Sequence, residues 1–226
     1  MTARAPPLFR SRVRAPLKLP LMTDDHEAEA SASKNGRVWR IGNEADVAWI
    51  RQSTAVSFAI TSAIPPVFEA YATLELPGSG AHDARSPLED PDRHNAGVLA
   101  VLSEHSAVQP WWLGYLDTGG ADIVFYDAPK VRPGPTSDGW YVLVEAGPEQ
   151  AGVWREQQHS KGPLPDLMFP ADRSWLYSTL WDDDWTCIGG SRALIDALLA
   201  HPDLGHRAHE VNPSLKDATP PGHTAI

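Results

Sequence analysis

The sequence predicts a single α+β domain: helices first, an antiparallel sheet in the middle and a closing helix. Three observations support this fold class. Apolar residues recur at helical spacing up to about residue 105. Short runs rich in aromatic and β-branched residues follow, from Trp111 to Ile188. A last apolar stripe at helical spacing begins after Gly190.

The boundaries of the domain follow from changes in composition. Residues 1–36 are proline-rich and then rich in small and charged residues, which predicts a disordered extension. Residues 37–211 form the predicted domain, and residues 212–226 a flexible tail. Two alternatives remain for the extension: a basic arm with its own partner, or a chain whose true start is Met22.

Helices account for the first part of the predicted domain. Asn43 can cap a helix that runs to about Ser62 and stops before Pro65-Pro66. Pro66 can open a second, short helix, since Val67, Ala70, Tyr71 and Leu74 fall on one helical face. A third helix is expected from Pro91 to about His105.

Strands account for the middle. Residues 111–116, 122–127 and 140–145 have strand composition, and proline- and glycine-rich segments separate them. Side chains alternate from Trp175 to Trp181, three aspartates can form a bend, and residues 185–188 can return as the partner strand. Gly189-Gly190 then leads into a final helix, 191–200, which His201-Pro202 ends.

Charge and cysteine content limit the classes of partner. The net charge is −10, and the 204 residues after position 22 carry 14 basic and 29 acidic side chains. Such an acidic body repels phosphate backbones, so no nucleic-acid partner is expected. The sequence contains no run of about 18 apolar residues, so no membrane span is expected. Cys187 is the single cysteine, which fits a reducing cytoplasm and no internal disulfide.

The sequence predicts no cofactor and no catalytic motif. It contains neither of the glycine-rich nucleotide-binding patterns, and Ala193 stands where a nucleophile elbow needs glycine. Cys187 lies in a predicted strand, so we expect it to be buried and inert.

Two groups of side chains are of types that bind metal ions, but their spacing fits a metal site poorly. The three consecutive aspartates lack the spacing of a calcium loop, because successive strand side chains point apart. His206 and His209 would share a helical face, but no cysteine completes a zinc site. Solvated side chains are the commoner interpretation of both, and the sequence predicts no metal.

Aromatic residues give the most specific prediction. Three of the nine tryptophans bracket three aspartates between Ser174 and Gly190, and other aromatics fall in predicted strands. Trp and Tyr are favoured at binding hot spots, because they bury a large area with few rotatable bonds. We therefore predict an exposed partner-binding surface, with a tryptophan-rich core as the alternative for any single ring. Its residues are Trp111, Trp112, Tyr115, Trp175, Trp181, Asp182, Asp183, Asp184 and Trp185.

Four phrases resemble a set of uncharacterised proteins from high-GC bacteria. They begin at Ala63 (Ala-Ile-Pro-Pro-Val-Phe-Glu-Ala-Tyr), Gln109 (Gln-Pro-Trp-Trp-Leu-Gly-Tyr-Leu), Val142 (Val-Leu-Val-Glu-Ala-Gly-Pro) and Asp166 (Asp-Leu-Met-Phe-Pro-Ala-Asp-Arg). The phrase Ile64-Pro-Pro-Val-Phe-Glu-Ala-Tyr after a helix also resembles the SMI1/KNR4-type domain of bacterial immunity proteins, with Leu76-Pro-Gly where that domain often has Asn-Gly-Gly. This resemblance implies an α+β module and an immunity-like role.

Two classes of function remain open from the sequence. The first is a cytoplasmic, non-catalytic interaction protein whose acidic, tryptophan-rich surface binds a basic protein, such as a toxin domain. The second is a small hydrolase or carbohydrate-binding enzyme that uses aromatic platforms and carboxylates. A purely structural protein with tryptophan-rich packing is a third option, and the oligomeric state is left open.

Overall fold

A computed structural model describes residues 30–51, 64–77, 91–106, 110–119, 123–134, 139–155, 163–179 and 185–211. Four helices and nine strands lie in these ranges. The helices are α1 (Glu44–Arg51), α2 (Pro91–Glu104), α3 (Pro148–Val153) and α4 (Arg192–Ala200). The strands are β1 (Ser31–Lys34), β2 (Arg37–Arg40), β3 (Ala70–Glu75), β4 (Trp111–Leu116), β5 (Tyr141–Ala146), β6 (Leu167–Pro170), β7 (Leu176–Thr179), β8 (Trp185–Gly190) and β9 (Ala208–Glu210).

Seven of the strands form one antiparallel sheet, in the order β5-β4-β6-β7-β8-β3-β9, and β1 pairs with β2. The predicted α+β class with an antiparallel sheet and flanking helices is therefore confirmed. Strands β3, β4 and β7 end, and β5, β6 and β8 begin, at one end of the sheet. We name it the Asp166 end, after the residue that precedes β6.

Both faces of the sheet are covered by apolar side chains. On β4, Trp111, Leu113 and Tyr115 belong to one buried cluster, with side chains of α2, α3 and α4. Trp112 and Leu116 belong to the opposite cluster, which includes α1 and Ile64. Side chains on both sides of β4 are therefore removed from water, which stabilises the fold by about 25 cal/mol per Å² of apolar area.

The hairpin β1–β2 corrects the predicted start of order. Residues 31–36 were predicted to be disordered, but residues 31–34 pair with residues 37–40. The turn is Asn35-Gly36, whose φ angles are 54° and 75°. Two positive φ angles suit the two-residue turn that joins twisted strands, and Asn-Gly is the sequence typical of it. This dipeptide was the signal that the composition-based prediction missed.

The second predicted helix is wrong. Residues 70–75 form β3, a strand between β8 and β9, and Tyr71 lies in the opposite cluster from Ala70 and Ala72. The first five residues of β3 are buried. A strand that is apolar on both faces has no clear two-residue period, so helical spacing matches it by coincidence.

Other boundaries agree in part. Helix α2 matches its prediction, and in α4 the Ser191 Oγ accepts a hydrogen bond from the Leu194 N–H at 3.2 Å, as an N-cap does. The first helix is described only over residues 44–51. The strand predicted over 122–127 is wrong where the structure describes it, because Phe125 has a φ of 59° and residues 123–128 form turns. Strands β6 and β9 were not predicted.

The outer edge of β5 is paired with other segments. The Gly42 N–H donates to the Leu143 carbonyl at 2.7 Å, and Ile41 bridges Val144. Val131 and Tyr141 exchange two backbone hydrogen bonds of 2.8 Å. The hairpin and the β4–β5 connection therefore satisfy backbone groups that an edge strand otherwise leaves open.

Candidate functional site

The structure corrects the predicted aromatic surface. Every one of its residues that the structure describes is buried, with at most 5% of its surface exposed: Trp111, Trp112, Tyr115, Trp175 and Trp185. A partner cannot reach these rings, so they do not form a contact surface in this fold. The physical reason is that apolar side chains cover both faces of the sheet, whereas an exposed surface requires one open face.

Packing within the core accounts for the buried rings. Trp111 and Trp175 meet edge to face, with ring centroids 4.9 Å apart. The Trp111 indole N–H donates to the Ser106 hydroxyl at 2.8 Å. The guanidinium of Arg40 lies 4.7 Å from the Trp112 ring centroid, and that of Arg155 lies 5.1 Å from Tyr115. These rings therefore stabilise the core, some of them beneath cationic side chains.

The remaining predicted residues, Trp181 and Asp182–Asp184, lie outside the described part of the chain. The alternation predicted before them holds where it is described, since Trp175 and Tyr177 share a cluster opposite Leu176. Cys187 is buried, as predicted.

Among the described residues, two other aromatic side chains are exposed. Tyr126 is 54% exposed in the β4–β5 connection, and Trp140 is 43% exposed immediately before β5. Both lie near the Asp166 end of the sheet. The sequence prediction missed them because both residues stand in segments with strand composition, 122–127 and 140–145. An aromatic residue within a segment rich in glycine, proline and aspartate was the available signal, because loops lie on the surface.

Charged side chains connect these two rings. Lys130 Nζ lies 4.8 Å from the Tyr126 ring centroid and pairs with Asp117. The Asp117 N–H donates to the Trp140 carbonyl at 2.7 Å. The Arg132 guanidinium lies 4.3 Å from the Trp140 ring centroid. We name the resulting contiguous surface the Tyr126–Trp140 patch; it comprises Glu44, Asp117, Tyr126, Lys130, Arg132 and Trp140.

Electrostatic interactions hold the patch in one arrangement. The hydrogen bond from Lys130 lowers the pKa of the Asp117 carboxyl and raises the pKa of Lys130, so both stay charged around neutral pH. Glu44 Oε1 accepts the Arg132 N–H at 3.0 Å, and its Oε2 pairs with Arg51 at 2.5 Å. The patch therefore presents two rings on a backbone that hydrogen bonds fix in place.

An ion pair lies beneath the same end of the sheet. Arg155 Nη2 donates to Asp166 Oδ2 at 2.6 Å, and that carboxylate also accepts the Leu116 N–H at 2.8 Å. Arg155 Nη1 donates to the Leu164 carbonyl at 3.0 Å. The side chains are only 7% and 20% exposed. This arrangement ties the end of β4 to the start of β6 and has a structural role.

His94 on α2 is the most buried histidine that the structure describes, with 4% of its surface exposed. Neither ring nitrogen has a hydrogen-bond partner. Burial, and secondarily the nearby His206, lowers the pKa of His94 to about 4. The neutral imidazole therefore packs in the folded protein, and its protonation opposes folding.

Because of His94, the free energy of unfolding is expected to decrease as the pH is lowered. The folded pKa is below the unfolded value of about 6.5, so the unfolded chain binds the proton first and stability is lost as pH decreases from 6.5 toward 4. Between pH 7 and pH 5 this residue accounts for a loss of about 2 kcal/mol. Denaturant unfolding of the wild type and of His94→Leu at both pH values measures it. Equal losses in the two proteins would contradict the assignment.

Two kinds of feature are absent from the described residues. Among them, no group of three or more His, Cys, Asp or Glu side chains is arranged to hold a metal ion. His206 is exposed and His209 lies in β9, so the pair does not share a helical face. In the same ranges, no helix has both the length and the apolar composition that crossing a membrane requires.

Comparisons with known proteins give no match: no family model, no curated protein and no solved structure matches this chain. The candidate site is an exposed aromatic pair beside ion-paired side chains at the Asp166 end of the sheet.

Proposed function

We propose that the chain is a non-catalytic protein-interaction module that binds a basic protein through the Tyr126–Trp140 patch. The observation that carries this proposal is the pair of exposed rings, 54% and 43% accessible, on a backbone that hydrogen bonds hold. Trp, Tyr and Arg are the residues enriched at interface hot spots, and the patch contains one of each. A rigid surface also loses little entropy when a partner binds.

The distribution of charge supports a basic partner. The described residues carry 15 acidic and 11 basic side chains. Beyond residue 22, the rest of the chain carries 14 acidic and 3 basic side chains. Three of its segments, 120–122, 135–138 and 180–184, fall in the sequence between strands that end and begin at the Asp166 end, and they contain five aspartates and no basic residue. Complementary charge accelerates encounter with a cationic protein.

An immunity-like role in the cytoplasm is one case of this proposal. A protein that neutralises a basic toxin domain needs fast association and a rigid contact surface, and the patch and the acidic connections provide both. The partner itself is identified only by its chemistry, a folded protein with a cationic face.

Photo-crosslinking in the native cells tests the proposal. A benzophenone amino acid replaces Tyr126 in one chain and Val67, which is 59% exposed and precedes β3 at the opposite end, in the control chain. We expect a basic protein to crosslink at position 126 alone. Purified, that protein should bind Trp140→Ala at least about 30-fold more weakly than wild type and Val67→Ala equally well. Affinity should also fall with added salt.

Three results would count against the proposal: equal crosslinking at both positions, an acidic partner, or unchanged affinity in Trp140→Ala. Replacing Asp182, Asp183 and Asp184 by asparagine tests the electrostatic part separately. It should slow association while leaving dissociation nearly unchanged, because charges outside the contact act mainly on encounter.

The exposed rings also favour a second candidate, a carbohydrate-binding enzyme. Sugars stack on Trp and Tyr, and the Asp117 and Asp127 carboxylates lie in the same connection. A glycan array and a general hydrolase screen separate the two functions. Specific glycan binding that Tyr126→Ala removes would favour this candidate over the protein partner.

A further inference from the structure

The guanidinium of one arginine of the patch has no ion-pair partner within the described residues. Arg40 lies 3.6 Å from both Asp46 and Glu145, and Arg51 pairs with Glu44. Lys130 pairs with Asp117. The exposed guanidinium of Arg132, in contrast, contacts the Trp140 ring. An arginine stacked on a ring keeps the N–H donors along its edge available, and those donors match a carboxylate in geometry.

The backbone that carries Arg132 is fixed. Its N–H donates to Glu44 at 3.0 Å, the preceding residue pairs twice with Tyr141, and Pro133 is buried. Little conformational entropy is therefore lost in the backbone when Arg132 binds an anion.

The N-terminal part of the chain reaches the described fold close to this arginine. Ala30 is the first described residue, and its carbonyl accepts the Ile41 N–H at 2.8 Å. Glu44, which binds the Arg132 backbone, is only three residues after Ile41. Residues 23–29 read Thr-Asp-Asp-His-Glu-Ala-Glu, with four carboxylates and no Lys or Arg. Seven residues span up to about 25 Å when extended.

We propose that residues 23–29 dock on the patch of their own chain, with a carboxylate bound to the edge of Arg132 beside Trp140. Charge complementarity and the position of Ala30 select this occupant. The docking neutralises Arg132 and adds negative charge to the surface that meets the basic partner. This consequence rests on the proposed function.

Paramagnetic relaxation tests the docking in the full chain. A spin label is attached at His26→Cys, which retains all four carboxylates, with the buried Cys187 replaced by alanine. We expect the Trp140 indole signal to be broadened strongly by the label and the Trp49 signal to be broadened much less. The broadening should be lost in Arg132→Ala and at 1 M salt, where the screening length is about 3 Å.

Arg173→Ala is the matched control. Arg173 is also exposed and stacks on a tryptophan, Trp49, at 5.6 Å, but it precedes β7 at the opposite end of the sheet. This variant should leave the broadening of Trp140 unchanged.

Three results would overturn the inference: no broadening of Trp140 in the wild-type chain, the same broadening in Arg132→Ala, or broadening in a mixture of labelled and isotope-enriched chains. The last would assign the acidic segment to a second copy. The experiment uses the isolated protein, so its outcome is independent of the crosslinking result. If the segment docks but no basic partner is found, only the proposed function is contradicted. If a basic partner is found but the segment does not dock, only this inference is contradicted.

Discussion

Replacing Trp175 by alanine will lower the free energy of unfolding by about 3–5 kcal/mol. Trp175 is fully buried and meets the Trp111 ring edge to face at 4.9 Å. Removing the indole leaves a cavity in a cluster that joins the sheet to α2 and α4. Denaturant unfolding at neutral pH, with the slope compared between proteins, measures the loss.

Trp140→Ala is the matched control, because the same substitution is made at an exposed indole. It should reduce stability by less than about 1 kcal/mol, most of it from the contact with Arg132. Equal losses in the two variants would mean that Trp175 is not packed as described. This pair of measurements separates rings that hold the fold from a ring available to a partner.

Asp166→Ala will lower the free energy of unfolding by a similar amount, about 3–5 kcal/mol. The substitution removes the Asp166 carboxylate from the guanidinium of Arg155, which is 7% exposed, and the Leu116 N–H loses its acceptor. A buried cation that loses its counter-charge is far more costly than an exposed one, because the protein interior solvates it poorly.

Glu210→Ala breaks an ion pair of similar length and supplies the comparison. Arg192 and Glu210 are 2.6 Å apart, but their side chains are 43% and 50% exposed. Water and salt screen such a pair, so we expect a loss below about 1 kcal/mol. If Asp166→Ala lowered the free energy of unfolding by no more than Glu210→Ala does, the Arg155–Asp166 ion pair would have no structural role.

Elements with strong local signals were predicted correctly from the sequence. Helix α4 follows a serine N-cap and ends at His201-Pro202, β4 is an unbroken apolar run, and β5 begins with four buried apolar residues. Strand β3 was predicted as a helix, because burial on both faces removes the two-residue period that identifies a half-exposed strand. The short strands β6 and β9 depend on pairing with β4, β7 and β3, which no local pattern encodes.

The site could not be predicted for a related reason. Aromatic residues alternating along a strand suggest one exposed face, and the six-residue run from Trp111 to Leu116 was the sign that both faces are covered. Whether Tyr126 and Trp140 are exposed depends on how the β4–β5 connection lies along β5. That placement rests on backbone hydrogen bonds of Val131, which are independent of its side chain.

The closed margin of β5 also limits how a partner can be recognised. Many binding proteins extend their sheet with a peptide strand, which requires a free row of backbone donors and acceptors. Here Ile41, Gly42 and Val131 already occupy much of that row, and at the other margin β9 has only three residues. This arrangement favours recognition through side chains over main-chain pairing at β5, and the same closure opposes the stacking of chains along that edge.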